Sequence, residues 1–349
     1  MLCRPLQIQN KVQSVPDLLD HPGLHTMADP YPPTQTASPV PPAQKRKKEP
    51  HVYPEAFIVS PTSTHTQTML LLHGRGSDGK KFGLEFLASK TAAGKSIQEL
   101  FHGMKFVFPT AKKRRARWYK RAFVNQWFDN VPIDEQSKGM SMEEVDWQLE
   151  GLAETAEFLK PLLDVEVMTL SSKNVFIGGL SQGCAMGLHL LLSYEFDKGE
   201  ESGGYLGGFV GMSGWLPFFD EIQDLIKPGN KNRNDEGNDP FATSDSDEDF
   251  DIEPERSRLS AASQVCDFVR QNMEWSVSHT REPPFIRTPV FLGHGKSDEK
   301  VMITLGLDVA MVLREMGLKV RWEEYDEGHW YKVPEEIDDI VEFLKTCTL

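Results

Sequence analysis

The segment Val175-Phe176-Ile177-Gly178-Gly179-Leu180-Ser181-Gln182-Gly183 leaves this chain few ways to fold. The apolar run from Asn174 to Ile177 reads as a buried strand, and the Ala-, Met- and Leu-rich stretch from Cys184 to Tyr194 reads as a helix. Between them stands Gly179-x-Ser181-x-Gly183. That is the strand–turn–helix setting in which a serine sits on a strained elbow with its hydroxyl exposed above a sheet. Side chains at the glycines would collide with the tight turn and the adjacent helix. The pattern alone is weak, since about one chain in ten of this length carries it by chance at average composition. Its flanking elements strengthen it, and so do two motifs nearer the C-terminus.

A serine nucleophile needs a base, and the base needs an acid to orient it. In this setting they come in the order acid then histidine, each on a loop after a strand. The short apolar strand Thr288 to Gly295 is followed by Asp298, and the strand Lys319 to Tyr325 leads to Gly328-His329. An amphipathic helix, Pro334 to Lys345, comes next, with Ile337, Ile340, Val341 and Leu344 on one face. Taken singly, Asp298 fits a turn and His329 a surface position. Their joint order and strand-end placement favour the catalytic reading.

Upstream, Gln67 to Leu72 reads as a strand ending in His73-Gly74-Arg75-Gly76-Ser77-Asp78-Gly79. The loop after such a strand supplies one backbone N–H of an oxyanion hole, and the residue after the nucleophile, Gln182, supplies the other. The same loop spells Gly-x-Gly-x-x-Gly, but a dinucleotide site needs an acid near the end of the next strand to hold a ribose. That strand, Met104 to Phe108, ends in Pro109-Thr110. Nicotinamide or flavin binding is therefore not expected.

These motifs, together with Trp127-Phe128-Asp129, Ser213-Gly214-Trp215-Leu216-Pro217 and His294-Gly295-x-x-Asp298-x-x-Val301, resemble the phospholipase/carboxylesterase family of α/β-hydrolases. Acyl-protein thioesterases and lysophospholipases belong to that family. The resemblance covers most of residues 52–220 and 285–349. It implies Ser181 as nucleophile, Asp298 as orienting acid and His329 as base, with the Arg75 and Gln182 amides forming the oxyanion hole. It also implies Trp127, Trp215 and Leu216 at the substrate pocket. The family position corresponding to Arg75 is usually apolar. The implied activity is hydrolysis of carboxylic esters or thioesters through an acyl-enzyme, in the manner of an acyl-protein thioesterase, on an acylated protein or a lipid or small ester. A general carboxylesterase or lysophospholipase is the alternative within hydrolases. A hydrolase-fold binding protein without catalysis is the alternative from another class, and intact Ser181, Asp298 and His329 speak against it. No metal or organic cofactor is expected.

The 349 residues suffice for one large α/β domain, and alternating strands and helices indicate a mostly parallel central sheet with helices on both faces. That domain is expected over residues 51–349. Residues 1–50 hold ten of the 23 prolines and read as a disordered tail ending in Lys45-Arg46-Lys47-Lys48, a solvated basic run or, alternatively, a nuclear address. No apolar run approaches membrane-spanning length and Met1-Leu2-Cys3-Arg4-Pro5 lacks a secretory core, so the expected location is cytoplasmic, with the nucleus as the second possibility. Four scattered cysteines (Cys3, Cys184, Cys266, Cys347) argue against a disulfide framework or zinc site.

Tyr53 to Ser60 and Thr68 to Leu72 read as strands joined by a polar turn. Ser141 and Glu144 form a capping box opening a helix with Val145, Leu149, Leu152, Ala156, Leu159 and Leu163 along its core face. Ser263 to Trp275 reads as a further short helix. Residues 112–121 carry seven basic residues and no acidic one, interleaved with Trp118 and Tyr119 and followed by Phe123. They read as a solvated loop or as an electrostatic lure for anionic headgroups and acidic protein surfaces. Nucleic acid is not expected, given a net charge of −14. Residues 234–255, within an insertion spanning about 228–260, hold ten acidic residues and no basic one, and read as disordered, with Ser244 and Ser246 in acidophilic-kinase context. One reading of that block is a shield over the basic loop; the plain one is a tolerated insertion.

Overall fold

Strands that are apolar along their whole length must be covered on both faces, and the centre of this chain obeys that rule. A computed structural model describes residues 52–133, 140–196, 204–227, 260–278 and 280–348. The Pro-rich tail, the Lys45–Lys48 run and the acidic block with Ser244 and Ser246 lie outside the described residues. Strands β2 (Gln67–Leu72), β3 (Met104–Phe108), β6 (Val175–Leu180), β7 (Gly208–Met212), β8 (Val290–Gly295) and β9 (Val320–Tyr325) pair in parallel. Strand β1 (Phe57–Val59) joins them, and the sheet order is β1-β3-β2-β6-β7-β8-β9.

The period of two along each strand divides the core. Leu70, Leu72, Val175 and Ile177 point to one face, where they meet helices α4 (Leu149–Thr169), α5 (Gln182–Ser193), α7 (Ala261–Asn272) and α8 (Ile303–Glu315). Met69, Leu71, Phe176 and Leu180 point to the other, against α1 (Gly79–Ala88), α2 (Ile97–Leu100) and α9 (Glu335–Cys347). Among the described residues no helix is long and apolar enough to cross a membrane.

Three details differ from the sequence reading. Of the expected strand from Tyr53 to Ser60, only Phe57–Val59 forms β1, which pairs antiparallel with β3 (Phe57↔Phe108). The Ser141 capping box forms, but the helix it opens, α3 (Met142–Asp146), stops after five residues, and α4 begins separately at Leu149. The basic stretch is not a plain loop: β4 (Lys113–Arg115) and β5 (Phe123–Asn125) make an antiparallel hairpin, with Lys120 and Arg121 at positive φ in its turn.

One buried acid stands out in the core. Glu336, in the first turn of α9, is 1% exposed. Its Oε2 accepts from the Lys332 amide at 2.9 Å, and its Oε1 has no partner among the described residues. The carboxyl reaches the backbone of β8, 2.2 Å from where a Cβ on Gly293 would stand. Burial, reinforced by Asp339 and Glu327, pushes its pKa up to about 8 from 4.5. The folded state therefore holds a proton between those values that the unfolded state releases, so stability should fall as pH rises through that window. Glu336→Gln is expected to flatten the corresponding decline in Tm and to stabilise the protein at alkaline pH. A Tm-against-pH slope unchanged by the substitution would count against a protonated Glu336.

Candidate active site

The order of the sheet decides where a site can form. The chain lays down β3 on one side of β2 and β6 on the other, so the loops leaving β2 and β6 splay apart at their carboxyl ends, where open α/β sheets bind ligands. Ser181 sits there, directly after β6, with φ 55° and ψ −122°. That backbone costs a non-glycine residue on the order of 1–3 kcal/mol. It is held from both sides: the Ser181 N–H donates to the Met212 carbonyl on β7 at 2.8 Å, and its carbonyl accepts from Ala185 at 3.1 Å, starting α5. The glycines make the close approach possible. A Cβ at Gly179 would lie 2.6 Å from the Leu72 carbonyl oxygen, and one at Gly183 would lie 2.2 Å from the same atom.

Loops after β8 and β9 bring the acid and the histidine to the same place. His329 Nε2 is 2.9 Å from Ser181 Oγ, and His329 Nδ1 is 2.8 Å from Asp298 Oδ2. An ionised carboxylate only accepts, so Nδ1 carries the hydrogen and Nε2 is left to accept from the serine hydroxyl. Burial alone would raise the Asp298 pKa. Hydrogen bonds from His294, His329 and the Val301 and Lys300 amides overcome it and hold the carboxyl well below the usual carboxylate range. The two amides lie 3.0 Å and 2.9 Å from Oδ1.

His294 is a residue that sequence reasoning passed over. It is buried on β8, where its Nε2 donates to the Val301 carbonyl at 2.8 Å and lies 3.4 Å from Asp298 Oδ2. It ties the Asp298 loop to the strand that precedes it. Its place within the motif was visible in the sequence, but its face was not.

No hydrogen bond to a protein acceptor occupies the Arg75 or Gln182 amide among the described residues. The Gln182 side chain, also missed, is fully buried and clamps the segment after β5. Its Oε1 accepts from the Trp127 amide at 3.0 Å, and its Nε2 donates to the Phe128 carbonyl at 2.9 Å. His73 supports the other side of the loop. Its Nδ1 donates to the Gly74 carbonyl at 2.8 Å and its Nε2 accepts from the Ala111 amide at 3.0 Å. Burial pushes this histidine down to about 4, so it is neutral near pH 7.

A cavity of about 470 Å³ opens beside Ser181 and His329. Of the three expected substrate-contacting residues, Trp215 lines it, while Trp127 and Leu216 do not. Trp127 is fully buried and donates from Nε1 to the His73 carbonyl at 2.8 Å, bracing the loop, and Leu216 packs into the core. Tyr119, Asn130, Lys300 and Trp330 complete walls that the sequence reading did not foresee.

The basic hairpin borders this cavity through Tyr119, but part of its charge is spent internally. Lys112 and Arg114 both pair with Glu154 on α4, and Arg117 pairs with Asp129 and Glu150. Lys113, Arg115, Lys120 and Arg121 are exposed and have no carboxylate partner among the described residues.

Comparison with known proteins identifies the family and the fold. The chain is 26% identical over 296 residues to acyl-protein thioesterase 1 of Yarrowia lipolytica, covering 84% of this chain and 96% of the relative. It is 29% identical over 136 residues to mouse lysophospholipase-like protein 1, covering 38% of this chain and 51% of that protein. The crystal structure of Zea mays acyl-protein thioesterase 2 superposes with a TM-score of 0.54 at 21% identity, over 84% of this chain and 99% of that one, which establishes the α/β-hydrolase fold. Residues 53–229 match the phospholipase/carboxylesterase family, and the chain belongs to that family of ester and thioester hydrolases.

Proposed function

We propose that this chain is a serine hydrolase of the acyl-protein thioesterase type, with Ser181, His329 and Asp298 as its catalytic triad. The observation that carries this reading is the hydrogen-bonded series Ser181–His329–Asp298 beside two backbone amides that have no protein acceptor among the described residues. His329 takes the Ser181 proton as Oγ attacks the acyl carbonyl. Asp298 fixes the imidazole tautomer and stabilises the imidazolium. The Arg75 and Gln182 amides receive the developing oxyanion, and Gln182 does so from the first turn of α5, where the helix dipole favours negative charge. The imidazolium then protonates the departing alcohol or thiol. Water repeats the sequence on the acyl-enzyme, releasing the acid and restoring the serine.

Thioester substrates on proteins are favoured by the names of relatives that span nearly their whole length, such as that from Yarrowia lipolytica. A lysophospholipase reading draws on the shorter match to the mouse protein. The four exposed cations of the hairpin with no carboxylate partner among the described residues fit an encounter with an anionic surface in either case.

A kinetic panel of an S-acylated peptide, a lysophospholipid in anionic vesicles and a neutral nitrophenyl ester tests the assignment. The peptide thioester is expected to give the highest kcat/KM. Neutralising Lys113, Arg115, Lys120 and Arg121 together should raise KM for the vesicle substrate at low salt while sparing the nitrophenyl ester, and added salt should erase the difference. A lysolipid turned over far faster than the thioester would move the function to the second reading.

A further inference from the structure

The walls of the cavity carry an unbalanced charge. Among its described lining residues are two cations, Arg75 and Lys300, and no aspartate or glutamate. That is notable in a chain whose net charge is −14.

Arg75 is half-buried and held in place. Its Nε donates to Gln126 Oε1 at 3.1 Å, and its guanidinium carbon lies 4.3 Å from the centre of the Tyr119 ring. These contacts leave the Nη1 and Nη2 hydrogens without an acceptor among the described residues. Asp129, which acts on Arg75 from a distance, has its carboxylate engaged by Arg117, whose amide donates at 3.0 Å and whose side chain pairs at 3.4 Å. A guanidinium presents a planar fork suited to a carboxylate or phosphate, and half-burying it unpaired is costly. Lys300 adds a second positive charge on the same cavity, on the Asp298 loop.

We propose that the cavity selects esters or thioesters carrying a second, anionic group, a carboxylate or phosphate, close to the scissile carbonyl, with Arg75 as the specificity-determining residue and Lys300 assisting. The inference rests on the hydrolase reading above and narrows its substrate class. Water still adds across the acyl–oxygen or acyl–sulfur bond, giving a carboxylic acid and an alcohol or thiol, and the anionic group takes no part in the bond changes.

Two matched pairs test it and separate the two positions of the charge. On the acyl side, mono-p-nitrophenyl glutarate is compared with p-nitrophenyl valerate. On the leaving-group side, butyryl-glycerol 3-phosphate is compared with monobutyrin. The wild type is expected to favour the anionic member of at least one pair by about 10- to 100-fold in kcat/KM, as suits a charge-assisted hydrogen bond. Arg75→Leu should lower that ratio at least about tenfold, Arg75→Lys less, and Lys300→Ala in the same direction.

The ratio is the readout, because substitution at Arg75 also touches the oxyanion loop. Glutarate and glycerol 3-phosphate should likewise raise the Tm of the wild type and not of Arg75→Leu, a measurement independent of turnover. Loss of fluorophosphonate labelling and of neutral-ester hydrolysis would fail the hydrolase reading, whereas a ratio near one in both pairs overturns only the charge selection.

Discussion

Ser181→Ala is expected to lower kcat/KM for ester hydrolysis on the order of 10⁴- to 10⁶-fold and to abolish covalent labelling by a fluorophosphonate. The hydroxyl lost is the one 2.9 Å from His329 Nε2. Among the described residues no nearby thiol can take over: Cys184, on the first turn of α5, is fully buried, and burial pushes its thiol up to about 12. The fold should survive, because the elbow is held through the Ser181 backbone, by Met212 on one side and Ala185 on the other. An unchanged Tm with activity gone is thus the expected signature. Labelling of the variant at the wild-type rate would sink the assignment. Because triad members act as a unit, adding His329→Ala should cost little more.

Asp298→Asn is expected to reduce kcat about 10³- to 10⁴-fold. The direction comes from what surrounds the carboxylate. Oδ1 accepts from the Lys300 and Val301 amides, and Oδ2 faces His329 Nδ1 and His294 Nε2. An asparagine would keep its carbonyl on the two amides and turn its NH₂ toward the histidines, opposing donor to donor. His329 would relieve this by moving its hydrogen to Nε2, and the nitrogen that should accept the serine proton would be occupied. Since the Asp298 carboxyl is held well below its ordinary range, it stays ionised under mildly acidic conditions. The stability it contributes is present above its unfolded pKa and is lost only as pH falls toward the depressed folded value. The neighbouring Glu299→Gln should change little. A large effect there with little at Asp298 would reverse the choice of acid.

What the sequence revealed and what it hid have physical reasons. The elbow was legible because the glycines at 179 and 183 answer a local need, the approach of α5 and β6 to the end of β2. The placement of Asp298 and His329 was legible because strand ends in a parallel sheet share one edge. Trp127 and Leu216 were assigned to the pocket because a motif carries no information on which face a side chain takes. Both turned inward, Trp127 because its indole N–H has a carbonyl to satisfy at His73. The basic stretch looked free partly because two of its partners, Glu150 and Glu154, lie a helix away in sequence. Pairing of β1 with β3 depends on a long-range register that no local pattern encodes.

Gln182 has one more consequence. The residue proposed to offer its amide to the oxyanion also grips Trp127, Phe128 and Asn130 with its side chain, and Asn130 is part of the cavity wall. On the proposed function, the cavity wall at Asn130 and the amide offered to the oxyanion are therefore one mechanical piece. Attempts to broaden the substrate range by redesigning the 127–130 segment should exact a toll in turnover. Variation at Trp215, Lys300 or Trp330, which line the cavity from other loops, should reshape selectivity with the rate largely preserved.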